Sequence, residues 1–162
     1  MNRKGFTLIE LLAVIILIAI ISVLLVPSVL NSVEKSKETS YNILIENIIT
    51  ASESYYQECE YGNLSDAKYG SYACSISDNK INTTLGALAN TGMLKVNDLN
   101  EEENEKIVIN PKTDEDISDC NIVITKVITR TIDDNGIENK KVTYTVKGNT
   151  SNEKCPEVYG SE

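Results

Sequence analysis

Histidine is absent from this 162-residue chain. Its absence removes the side chain that most often moves protons near neutral pH and completes zinc sites. No glycine-rich phosphate loop follows a strand, and the serines stand outside any nucleophile-elbow pattern. Acids are plentiful, 24 against 15 Lys and Arg, but acids scattered over a soluble face are ordinarily just solvated. The chain therefore reads as a structural subunit rather than an enzyme, and it implies no cofactor. Basic clusters are missing as well. With a net charge of −9, the surface repels phosphate backbones and anionic headgroups, so direct nucleic-acid binding is not expected.

What the chain does have is a long apolar run at its start, MNRKGFTLIELLAVIILIAIISVLLVP. A basic head, Asn2-Arg3-Lys4-Gly5, precedes it, Glu10 interrupts it early and Pro27 closes it. From Leu11 to Val26 only Ser22 is polar. At about 1.5 Å per residue that stretch covers roughly 24 Å, short of a hydrocarbon core of about 30 Å. Phe6 to Ile9 make up the deficit but bring Glu10 inside the span. A secretory signal peptide should end in a small-residue cleavage site, and this run ends in Leu24-Leu25-Val26-Pro27. An ordinary single-pass anchor explains the length and, through Arg3 and Lys4, an inward-facing N-terminus. It leaves Glu10 unexplained, since an acid within a span usually marks function.

The heptapeptide Lys4-Gly5-Phe6-Thr7-Leu8-Ile9-Glu10 resembles the processing motif of type IV prepilins, the family of major and minor pilins and of secretion and competence pseudopilins. The resemblance covers about the first 27 residues and fades beyond them. It implies cleavage after Gly5 by a membrane-embedded prepilin peptidase and N-methylation of the new terminal amine, that of Phe6. It further implies assembly roles for Phe6, Glu10 and Pro27, since the family carries its acid and its helix-disrupting proline at these places. The implied partners are the peptidase, an assembly platform protein with its ATPase, the membrane, and further copies of itself or other pilins in a filament. The implied localisation is the cytoplasmic membrane, single-pass with the N-terminus inside, and after assembly a cell-surface filament. Loss of Met1 to Gly5 leaves 13 basic against 24 acidic side chains, a balance of −11. Such filaments serve adhesion, motility, protein secretion or DNA uptake. The competing function, from a different class, is a membrane-anchored extracellular binding domain that never polymerises.

Cys59, Cys74, Cys120 and Cys155 all follow the apolar run, on the side that a basic N-terminus leaves outside the cytoplasm. Their spacing is not that of a zinc site. Of the three possible pairings, Cys59 with Cys74 and Cys120 with Cys155 join neighbours along the chain. Closing these loops is worth about 3 and about 4 kcal/mol in the loop-entropy model. Reduced, buried thiols are the competing reading.

After Pro27 apolar residues recur at helical spacing from Val29 to Tyr56, with acids and lysines mostly between them. Pro27 either kinks one long spine or separates two helices. The expected organisation is a leader over residues 1–5, a helix over 6–56 (6–26 membrane-embedded, 27–56 amphipathic) and an extracytoplasmic head over 57–162. Cys59 to Thr84 reads as a loop rich in turn signals, and Thr84 to Leu94 as a short helix capped by Thr84 and Gly92. Lys106 to Ile109 reads as a strand. Asp114, Glu115, Asp116 and Asp119 could collect calcium, as the resemblance to pseudopilins allows, but the turn lacks the glycine and closing glutamate of an EF-hand, so a solvated acidic turn without metal is the expected reading. Asn121–Ile132 and Lys141–Lys147, joined through Asp133-Asp134-Asn135-Gly136, predict an antiparallel hairpin. Its apolar face holds Ile122, Ile124, Ile128, Ile132, Val142, Tyr144 and Val146, with Tyr41–Tyr56 as its cover. The fold class expected is α+β, a long N-terminal α-helical spine, its first half transmembrane, packed on a small antiparallel sheet as in type IV pilins.

Overall fold

The computed structural model describes residues 7–64, 70–72, 74–96, 99–100, 105–133, 135–148 and 154–156, with the side chains of 24–28, 71, 99 and 100 outside that description. The fold is α+β. Helix α1 spans Leu8–Glu60 and is followed by a 3₁₀ turn at Gly70–Tyr72, strand β1 (Lys80–Thr84) and helix α2 (Leu85–Asn90). Two short strands, β2 (Leu99–Asn100) and β3 (Glu105–Lys106), precede the long pair β4 (Asn121–Ile132) and β5 (Glu138–Gly148). By internal contacts the chain divides into two compact units, Met1–Thr39 and Ser40–Glu162.

Helix α1 is continuous through position 27. Its C-terminus is closed by Gly62, whose φ of 75° suits a residue without a side chain. The amides of Tyr61, Gly62 and Asn63 donate to the carbonyls of Gln57, Cys59 and Glu58, which satisfies the last turn.

In the second unit β1, β4 and β5 form an antiparallel sheet in the order β1-β4-β5, and β2 and β3 pair separately. Ile81 lies opposite Ile124, and Ile124 opposite Val146, so all three point to one face. That face is covered by Ile48, Ala51, Tyr55 and Tyr56 of α1, and the Tyr56 and Tyr144 ring centroids lie 5.3 Å apart. Ile48, Ile81, Leu85, Leu88 and Ile124 are fully buried, each stabilising the fold by about 1.5–3 kcal/mol relative to an exposed side chain. Helix α2 starts at Thr84, whose Oγ1 accepts from the Ala87 amide at 3.1 Å, and Leu85, Leu88 and Leu94 are all buried.

The short helix expected to reach Leu94 ends at Asn90, with Thr91 as its C-cap, and the structure departs from the sequence expectation in three further places. The loop expected over Cys59 to Thr84 contains β1, introduced by a two-residue turn at Asp78 and Asn79 with φ of 51° and 58°. The paired bonds between Ser77 and Lys80 close that turn, and the β-branched run Ile81, Thr83, Thr84 suits the strand. The strand expected over Lys106 to Ile109 shrinks to Glu105–Lys106, because the Val108 amide is taken by the Ser118 hydroxyl and its carbonyl by the Ile117 amide. The apolar face of the hairpin is covered over only half its length. Ile122, Ile124 and Val146 are buried, whereas Ile128 is 39% and Ile132 75% exposed.

Candidate functional site

Thr7 stands just outside α1 as its N-cap, and Glu10 is the third residue inside. The Thr7 amide donates to Glu10 Oε2 at 2.9 Å, the Thr7 hydroxyl to the same oxygen at 2.8 Å, and the Glu10 amide to Thr7 Oγ1 at 3.4 Å. This is a reciprocal capping box. The carboxylate also lies in the first helical turn, where the helix dipole favours negative charge. Gly5 and Phe6, the expected cleavage and methylation positions, lie outside the described residues. Pro27 lies within the continuous helix, with its side chain outside the description.

Between Leu8 and Val23 the apolar side chains are exposed, from Leu8 at 82% to Leu17 at 62% and Val23 at 73%. Ser22 donates its hydroxyl to the Ile18 carbonyl at 2.8 Å, so the polar group within this run is satisfied by its own helix. Among the described residues no helix is long and apolar enough to cross a membrane. The described side chains run from Leu8 to Val23, about 24 Å of helix against a hydrocarbon core of about 30 Å.

In the second unit two disulfides fix the ends of the fold. Cys59, in the last turn of α1, is bonded to Cys74, and Cys120, at the start of β4, to Cys155. The first bond ties the loop after α1 back to the helix. The second holds Cys155 and the buried Pro156 against the core. Both bring together cysteines that are neighbours along the chain.

Lys126 on β4 bonds both carboxylate oxygens of Glu60, at 2.7 and 2.6 Å, which places a cation at a helix end that has no basic residue in its last turn. No sequence pattern announced this pair, whose members are 66 residues apart. Thr7, the partner of Glu10, was legible as Thr-x-x-Glu ahead of an apolar run. A groove of about 290 Å³ is lined by Tyr55, Tyr72, Asn82, Thr83, Thr84, Ala87 and Asn121, without a carboxylate or an amine. The Tyr55 hydroxyl there donates to the Tyr72 carbonyl and accepts from Thr83, and burial raises its pKa above the ordinary phenol value. In the acidic turn, Asp116 accepts from the amide and hydroxyl of Ser118. Among the described residues no group of three or more acids and cysteines could hold a metal ion.

No curated protein and no solved structure matches this chain. Residues 1–26 match the model of the prokaryotic N-terminal methylation motif, the hallmark of type IV prepilin-like proteins.

Proposed function

We propose that this chain is a type IV pilin or pseudopilin subunit that polymerises from the cytoplasmic membrane into a surface filament. In this reading residues 1–5 are a leader, residues 6–26 lie in the membrane with the N-terminus inside, and residues 57–162 form the head outside. A prepilin peptidase cuts after Gly5, and the Phe6 amine is methylated. An assembly ATPase, acting through a platform protein, then draws the subunit into a filament of its own kind and of sister pilins.

The observation that carries this reading is the methylation motif at the head of a helix whose apolar side chains are exposed on every side. A helix apolar all round needs lipid or other apolar helices about it. Lipid before assembly and neighbouring subunits afterwards meet that need in turn. Glu10 supplies a depth gauge: a subunit docks stably where its carboxylate meets the cationic amine of a neighbour's Phe6, because an unpaired charge in an apolar layer costs several kcal/mol.

Electron microscopy of sheared surface filaments, with peptide mapping of their N-terminus, tests the proposal. The expected result is filaments of a chain beginning at N-methylated Phe6. Only full-length, monomeric, membrane-bound protein would instead establish the anchored, non-polymerising domain.

A further inference from the structure

The three-stranded sheet has a second face, opposite the core. Strand alternation puts Lys80 of β1, alternate residues of β4 from Asn121 to Thr131, and Lys141 and Lys147 of β5 on it. In a chain with 24 acids, none of the described strand residues on this face is a carboxylate. Its charges are the three lysines, and threonine, asparagine and valine make up the rest. Lys80, Lys141 and Lys147 are exposed, and among the described residues none has a carboxylate partner, unlike Lys126 and Arg130 of β4.

The charge removed from this face is concentrated elsewhere on the same head. The turn between Pro111 and Cys120 exposes Asp114, Glu115, Asp116 and Asp119. Lys112 of that turn lies over the ring of Tyr41 in α1, 4.2 Å from its centroid, and Lys154 donates to the Asp116 carbonyl at 3.3 Å. Asp116 and Asp119 themselves line a groove with Thr84 at the end of β1. One head thus presents two distinct surfaces of opposite sign.

We infer that these surfaces meet between copies of this chain: the lysine face of one head docks on the acidic turn of the next. The contact is heterologous, because each surface binds its complement and leaves its twin free, and such contacts propagate into open helical arrays rather than closing as dimers. Within the filament reading, on which this inference rests, it gives the heads their own register alongside that of the apolar helices. Charge pairs of this kind select partner and orientation more than they add affinity.

The test uses the full chain expressed in its own cells. Lys141→Glu with Lys147→Glu sets acid against acid and is expected to lower sheared filament yield about tenfold or more, since like-charge juxtaposition costs several kcal/mol. Glu115→Lys with Asp119→Lys is expected to lower it too, and all four changes together to restore it. Carbodiimide treatment of wild-type filaments built from mixed heavy and light isotope-labelled subunits should join these lysines to these acids across heavy and light chains. Equal amounts of mature, fully disulfide-bonded protein in every strain show that the variants fold. Wild-type yield from the lysine variant overturns the inference. Loss without rescue, with the lysines cross-linked to another protein or retained on an anionic polymer, overturns it as well. Failure of the unaltered chain to form filaments is visible before any substitution, and removes the filament reading together with this inference.

Discussion

Lys126 and Glu60 meet with 2.6 Å between ammonium and carboxylate, joining the middle of β4 to the last residue of α1. Lys126 also lies 5.8 Å from the centroid of the Tyr56 ring, so one cation serves a carboxylate and an aromatic face. The hydrogen bond from Lys126 to Glu60 raises the lysine's pKa, and burial raises those of the Tyr56 and Tyr55 hydroxyls. All three folded values thus lie above their unfolded ones. Their contribution is complete below about pH 10 and is lost as pH rises through the folded values. The thermal midpoint of the full chain in detergent should be flat up to that pH and fall above it, with a smaller fall in Tyr56→Phe. A midpoint that does not move up to about pH 11.5 would contradict this account.

Cys155→Ser should free the segment around Pro156 and lower stability by about 2–4 kcal/mol, read from denaturant midpoints. Non-reducing peptide maps of the unaltered protein should show Cys59 linked to Cys74, Cys120 linked to Cys155 and no free thiol.

Ser52 is fully buried, and its hydroxyl has no hydrogen-bond partner among the described residues. A buried unsatisfied hydroxyl costs about 1–3 kcal/mol, so Ser52→Ala should raise the unfolding midpoint, by about 1 kcal/mol once the small loss in volume is counted. A lower midpoint would mean that the hydroxyl has a role in the core.

Gly86 sits where α2 passes closest to Ser118: its amide donates to the Ser118 carbonyl at 2.8 Å, and an added Cβ would lie 3.2 Å from that same oxygen. Backbone cannot retreat as a flexible side chain can. Gly86→Ala should therefore cost about 1–3 kcal/mol, despite the better helix propensity of alanine.

Glu10→Val should leave mature protein in the membrane and lower filament yield more than about tenfold, because the Phe6 amine loses its counter-charge in an apolar layer. Glu10→Gln separates charge from capping, since an amide still accepts hydrogen bonds from Thr7. Immunoblots beside sheared yields read both, and normal assembly of either variant would remove the proposed role of the charge.

How much of this could be read beforehand differs by element. The apolar and helical periodicities from Leu8 to Tyr56, the hairpin and the short capped helix were legible because each is set by local pattern. β1 was hidden because only five residues separate its turn from α2, too few for alternation to show against neighbouring turn residues. The limit of the hairpin's buried face was hidden for another reason. Ile128 and Ile132 follow Ile124 with perfect alternation, yet only the extent of α1 cover decides which are buried. In the candidate site the Thr7 and Glu10 pair is a sequence-local motif. The Lys126 and Glu60 pair and the lysine-bearing sheet face depend on register, which the sequence left open.

The capping box at Thr7 has a consequence for where the chain can be cut. Its donor is the Thr7 amide, which belongs to the peptide bond that Phe6 and Thr7 share. Scission between Gly5 and Phe6 leaves that bond whole, so the first turn of α1 keeps its lock while a free amine appears one residue upstream. Scission one bond later would turn the donor itself into the terminal ammonium, 2.9 Å from the carboxylate of its own Glu10, and so pair the new charge within the subunit. The cut proposed after Gly5 instead leaves the Thr7 amide as a neutral donor to Glu10, with the new charge one residue upstream and free to meet the carboxylate of a neighbouring subunit.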